Sequence, residues 1–176
     1  REDPRDYLNY EGMFAMEIYN HGSNSVGVFE YDIQAYDLML RAGKRIFCSM
    51  TDDNHNKNPY GKYTDSFGGF NMIKAPELTY GAIIHALEKG TFYASQGPEI
   101  YDLYLEDGAV HIKCSPVKGI SYVAGVRRNA ARFGYDGYLT EASFLVDPGD
   151  VFFRISIVDS QGRHADTQAY FLDEWL

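Results

Sequence analysis

Asp53 and His55 are the residues whose types and spacing point most directly to chemistry. In an extended segment, side chains two positions apart project to the same side, so both can reach one common point. A carboxylate oxygen beside a neutral imidazole nitrogen is a donor pair suited to manganese, zinc or iron. A second reading stays open at this level, in which Asp52 and Asp53 cap the backbone amides of a turn. Calcium in an EF-hand is excluded. A loop of that kind opening at Asp52 needs glycine at its sixth position and glutamate at its twelfth, where the chain has Lys57 and Tyr63.

The elements that must hold this pair can be read on either side of it. Arg45–Met50 (RIFCSM) is an apolar run too short for a buried helix, and it fits a strand covered on both faces, as in a parallel sheet. Met13–Asn20 (MFAMEIYN) predicts an earlier strand with one charge, Glu17, inside it. Asn20 and His21 follow at its end and open a polar loop, which places Glu17, Asn20 and His21 at the rim of a site. Between the two strands, Phe29–Arg41 carries an apolar helical face, closed by Gly43 with Arg41 and Lys44 at its negative end. Strand, helix, strand in this order predicts a parallel pair.

Downstream, Asn54–Asn71 predicts a long loop whose aromatics wall or cover the site. Thr79 caps a helix over Tyr80–Lys89 that Gly90 ends, with His85 on its surface or at the edge of the core. Thr91–Ser95 then reads as a last short barrel strand.

These stretches together resemble the PHP (polymerase and histidinol phosphatase) superfamily. Asp53-Asn54-His55 is similar to its final metal-binding motif. Glu17-Ile18-Tyr19-Asn20, Ala35–Lys44 (AYDLMLRAGK) and Gly90–Ile100 (GTFYASQGPEI) resemble its other segments in the family's order, over most of residues 12–100. The resemblance implies part of an α/β barrel, hydrolysis of phosphoric esters such as nucleotide or sugar phosphates, and a cluster of divalent metals (Mn, Zn or Fe) to which Asp53 and His55 contribute. The family's amino-terminal His-x-His motif has no counterpart, since no histidine precedes His21. The chain therefore resembles the carboxy-terminal part of such an enzyme. Its metal binding should be weak or absent, and it should be inactive alone.

From Glu99 the pattern changes to alternation of apolar and polar residues. Tyr101, Leu103 and Leu105 are answered across Asp107-Gly108 by Val110, Ile112 and Cys114, as in a hairpin. Further strands are expected over Ile120–Val126, Gly137–Val146, Val151–Asp159 and Ala165–Leu172, with no helix beyond a short one within Arg127–Tyr135. The predicted fold is thus α/β plus all-β: a partial barrel over residues 1–97, then an antiparallel sandwich or sheet over 98–176. His111 and His164 fall on polar alternates and should be solvated, and Arg127 and Arg128 should lie on the surface.

Composition bounds the functional classes. Hydrophobic residues make up 45% of 176 and charged residues 23%, an ordinary globular balance. A formal charge of -9 disfavours a nucleic-acid partner. No apolar run reaches the roughly 18–20 residues of a membrane span, and no signal-peptide pattern is present. Cys48 and Cys114 each sit in an apolar strand and read as buried free thiols of a reducing, cytoplasmic compartment. The expected partner is a small phosphorylated substrate of the parent enzyme. An alternative is a non-catalytic module that binds carbohydrate or protein, or serves a structural role. An incomplete barrel would also leave the apolar face around Phe14, Met16 and Ile18 open, which predicts self-association.

Overall fold

The computed structural model describes residues 3–28, 31–55, 65–135 and 137–174. The chain divides into two compact units, Arg1–Gln96 and Gly97–Leu176.

The first unit opens with a 3-10 turn over Pro4–Asn9, capped by the Asp3 carboxylate. Strand β1 (Ala15–Asn20) runs directly into a short helix, α1 (His21–Ser25), where the sequence reads as a loop. Helix α2 (Ile33–Arg41) leads back to strand β2 (Phe47–Thr51). β1 and β2 are parallel, in register from Ala15 opposite Phe47 to Asn20 opposite Thr51, with an irregularity between Glu17 and Tyr19. α2 buries Tyr36, Met39 and Leu40, the i, i+3, i+4 face that packs against the strands. Ile18, Ile46, Cys48 and Met50 complete this core. Each such side chain contributes about 1.5–3 kcal/mol by leaving water. The buried Tyr36 hydroxyl donates to the Ile46 carbonyl at 3.0 Å, so its burial leaves no unmet polar group.

Beyond β2 the structure departs from a parallel layer. Strand β3 (Phe70–Ile73) lies in what reads as the end of a loop. Helix α3 (Tyr80–Lys89) follows, its first turn capped by Thr79 Oγ1 accepting from Ala82 N at 3.3 Å. Gly90 ends α3 at φ 68°, and a side chain there would also strike the Phe47 ring. Strand β4 (Phe92–Ser95) then returns antiparallel on β3, from Phe70 opposite Ser95 to Ile73 opposite Phe92. The expected parallel barrel strand over Thr91–Ser95 is therefore corrected to one arm of an antiparallel pair. Among the described residues, parallel pairing is confined to β1 and β2.

Asn71 supplies a physical reason. Its side-chain amide accepts from Met50 N at 3.3 Å and donates to Met50 O at 3.2 Å. A side chain thus occupies backbone groups of β2 that a further strand of a continuous sheet would use. The remaining part of the expected loop, residues 56–64, lies outside the described residues, as does the start of the expected helix at residues 29–30.

The second unit is built almost wholly of strands. Strands β5 (Ile100–Glu106) and β6 (Ala109–Val117) form the hairpin predicted at Asp107-Gly108. Both turn residues have positive φ, 48° and 74°, as a tight two-residue turn between right-twisted strands requires. The chain continues through β7 (Gly119–Ala124), β8 (Asn129–Phe133), β9 (Leu139–Leu145), β10 (Phe152–Val158), β11 (His164–Thr167) and β12 (Tyr170–Phe171). β5, β6 and β9 form one antiparallel sheet. In the other, β10 pairs with β7 on one side and with β11 and β12 on the other, and β8 lies beyond β7. The sheets meet through Val110, Ile112 and Cys114 from one and Ile120, Tyr122, Phe153 and Ile155 from the other, with the Tyr122 and Phe144 rings 5.8 Å apart. Two 3-10 turns, Pro148–Asp150 and Leu172–Glu174, are the only helical elements among its described residues.

Several local expectations are corrected here. Arg127–Tyr135 holds no helix but the strand β8, whose polar, weakly alternating sequence hid it. Arg128 is more than a surface residue: its guanidinium pairs with the buried Asp150 carboxylate. Tyr122 Oη donates to the same carboxylate at 2.7 Å, and Asp147 N at 3.1 Å. This clasp fixes the turn before Val151, a β-branched residue held at φ 64°. His164 is half-buried, and burial pushes its pKa down. His111 is half-covered on the outer face of its sheet, stacked on Tyr104 and bonded to Ser143 Oγ at 2.7 Å. Both cysteines are buried thiols outside any disulfide, and burial pushes the Cys114 thiol up to about 11.

Candidate functional site

The carboxyl ends of β1 and β2 lie side by side because the two strands are parallel. Asn20 and Thr51 are register partners there, so whatever follows each strand emerges at the same place. After β1 come His21 and Gly22; after β2 come Asp52, Asp53, Asn54 and His55. The two connections are tied together by Gly22 N donating to Asp52 O at 2.8 Å. Gly22 has little room for a side chain, since a Cβ would stand 3.0 Å from that carbonyl oxygen.

Asn20 is the organising side chain. It is 8% exposed, and its amide is fully committed. Oδ1 accepts from Ser23 N at 2.8 Å and so caps α1. Nδ2 donates to Glu17 Oε2 at 3.3 Å and to Asp53 Oδ2 at 3.2 Å. The other Glu17 oxygen accepts from the Thr51 hydroxyl. Two carboxylates are therefore held on either side of one neutral donor, which lowers the repulsion between them.

Asp53 Oδ1 lies 3.8 Å from His55 Nδ1. Both side chains are about half exposed. Asp53 takes φ 47°, a left-handed turn that swings the chain away from β2. His55 N donates to Asp65 Oδ2 at 2.7 Å, and the Asn54 amide pairs with the Ser66 hydroxyl.

Asp52 does what the turn reading of this run expects. Its carboxylate accepts from Phe67 N at 2.6 Å, Gly68 N at 2.8 Å and Gly69 N at 2.9 Å. This clamp seats residues 67–69 against the site. Glycine is needed there twice: a Cβ on Gly68 would run into the His21 ring, and one on Gly69 would lie 2.5 Å from Thr51 O. The turn-cap reading thus falls on Asp52.

Of the residues expected at the site, Glu17, Asn20, Asp53 and His55 form one connected group. His21 stands beside it, its Nδ1 3.1 Å from Tyr19 Oη and its ring against Gly68. Sequence reasoning missed Asp65 and Ser66, which reach His55 N and the Asn54 amide from across a long connection. Their only signal was the Gly68-Gly69 pair, which marks a close backbone approach.

A metal can be tested against these donors. Ligands about 2.1 Å from a tetrahedral ion stand roughly 3.4 Å from one another. The separation of 3.8 Å between Asp53 and His55 is near that value, so the two fit as adjacent ligands. They are two donors, however, and a tetrahedral site takes four, or three with an open position. Among the described residues, no group of three or more His, Cys, Asp and Glu side chains is arranged to hold a metal ion.

Comparison with known proteins found no family model, no curated protein and no solved structure that matches this chain. Among the described residues, no helix is long and apolar enough to cross a membrane.

Proposed function

We propose that this chain is the carboxy-terminal part of a PHP-type, cytoplasmic, metal-dependent phosphoesterase, with Asp53 and His55 as its contribution to the metal centre. The observation that carries the reading is the approach of Asp53 Oδ1 and His55 Nδ1 to 3.8 Å where β1 and β2, the parallel strands, both end. Chemistry at the carboxyl ends of parallel strands is the general pattern of α/β folds, because the connections there vary freely on a rigid support.

In this reading β1, α2 and β2 are a portion of the family's barrel, and the remaining ligands belong to the parent protein. A divalent metal bound there supplies Lewis acidity toward a phosphoric ester and lowers the pKa of water. The chain's own residues hold the donors. Asn20 fixes the Asp53 carboxylate, and the Asp65 carboxylate holds the backbone at His55. Glu17, Asp52, Asp53 and Asp65 make this end of the unit acidic, so a phosphorylated substrate needs compensating cations to approach it.

The test is turnover. The chain alone, with added manganese or zinc, should not hydrolyse p-nitrophenyl phosphate or nucleotides above background, because two ligands do not make a working centre. Robust hydrolysis that disappears in Asp53→Ala would show that the centre is complete here. Hydrolysis that persists in that variant would remove Asp53 from the chemistry altogether.

A further inference from the structure

The second unit carries a pocket that the phosphoesterase reading does not use. It has a volume of about 240 Å³ and opens between the two sheets. Leu103, Leu105 and Val110 line it from the β5–β6 hairpin, and Phe153, Tyr170 and Leu172 from the other sheet. None of its lining residues is charged. An apolar cavity of roughly 150 Å³ already accepts a benzene ring, so this one has room for an indole or a branched alkyl group.

Two further observations select the occupant. β5 is the terminal strand of its sheet, and among the described residues the side of Asp102–Glu106 away from β6 pairs with no other strand. A strand added along that side would place its inward side chains next to Leu103 and Leu105, over the pocket. The exposed charge beside the lining residues in sequence is also mostly acidic. Within two positions of the lining residues, the exposed charged side chains are Asp102, Glu106, Asp107, Asp147, Asp173 and Glu174, all acidic. Of the basic residues nearby, Arg154 is buried and paired with Asp166 at 3.1 Å, Arg128 is paired with Asp150, and Lys113 stands opposite Asp102 on β6.

We propose that the pocket and the free side of β5 together form a docking site for an extended basic segment of a partner protein. The segment adds to the sheet as a fourth strand and buries one aromatic or branched aliphatic side chain in the pocket. Main-chain bonds to β5 supply register, the pocket supplies the anchor, and the mostly acidic exposed charge favours flanking lysine or arginine.

The experiment uses the full chain and a capped peptide, Ac-KVWVK-amide, followed by NMR. Shifts should concentrate on the methyls of Leu103, Leu105 and Val110 and on the amides of residues 102–106. Three altered probes should each bind about tenfold more weakly or worse: one with alanine for tryptophan, one with glutamates for the lysines, and one N-methylated on the edge that faces β5. Val146→Trp, which fills the pocket, and Leu105→Gln, at the exposed mouth and tolerant of change, should weaken the parent peptide likewise. Equal affinity of the N-methylated peptide, or of free indole, would overturn strand addition. Shifts centred elsewhere would overturn the site.

Discussion

At the scale of single residues, the site rests on Asn20 more than on either expected metal donor. One buried amide keeps Glu17 and Asp53 apart while capping α1. Replacing it with a third carboxylate removes both donor bonds and adds a charge between two others. Asn20→Asp should therefore destabilise the first unit by roughly 2–3 kcal/mol near neutral pH. Crowded carboxylates protonate more readily, so the deficit should shrink as pH falls toward about 5. Urea denaturation of the variant and the parent at two pH values checks this. A pH-independent deficit would mean that the loss is one of cap geometry alone. The nearness of Asp53 and His55 was legible from their places after a strand, although the left-handed turn at Asp53, rather than an extended segment, precedes their approach to 3.8 Å. The separate task of Asp52 was not legible, because the amides it clamps lie fifteen to seventeen residues downstream.

Among the elements, those specified by local signals match their expectations closely. Thr79 and Gly90 bound α3, and Asp107-Gly108 turns the hairpin, because each is a backbone requirement met by one or two residues. β3 and β8 escaped notice because neither alternates clearly: Phe70–Ile73 is four residues long with a polar Asn71, and Asn129–Phe133 carries Asn129 and Arg132. Their existence depends on neighbours, which a window of sequence does not contain. The clasp at Pro148–Asp150 is a further case, since Asp150 meets Tyr122 and Arg128 from far along the chain. Burial alone would raise the Asp150 pKa. The bonds from Arg128, Tyr122 and Asp147 outweigh it and hold the carboxyl below its ordinary value. A depressed folded-state pKa gives stability that is fully present above the unfolded value of about 4 and is lost as pH falls through the folded value. Asp150→Ala should cost about 3 kcal/mol, toward the lower end for a broken pair because the Arg128 side chain is 40% exposed. The variant should also lose that acid limb, which unfolding curves between pH 2 and 7 would show.

For the molecule as a whole, the outer side of β1 is covered at one end only among the described residues. Near its carboxyl end, Tyr19 bridges to Tyr31, and Asp32 N donates to Ile18 O at 2.7 Å. Ile18 is buried, but Phe14 is 57% exposed. The proposed self-association should therefore centre on the amino-terminal end of β1. Sedimentation at micromolar concentration should show a dimer or larger species that Phe14→Glu dissociates, and a monomeric parent chain would remove the proposal. The central claim, that Asp53 and His55 are adjacent ligands of one metal, has a more direct test. Zinc is titrated into the chain while the ring signals of all five histidines are followed by NMR. The His55 ring should respond first, with weak, millimolar-range affinity, and Asp53→Ala should abolish its response while leaving the other histidines unchanged. A silent His55, or a His55 response indifferent to the loss of Asp53, would contradict it.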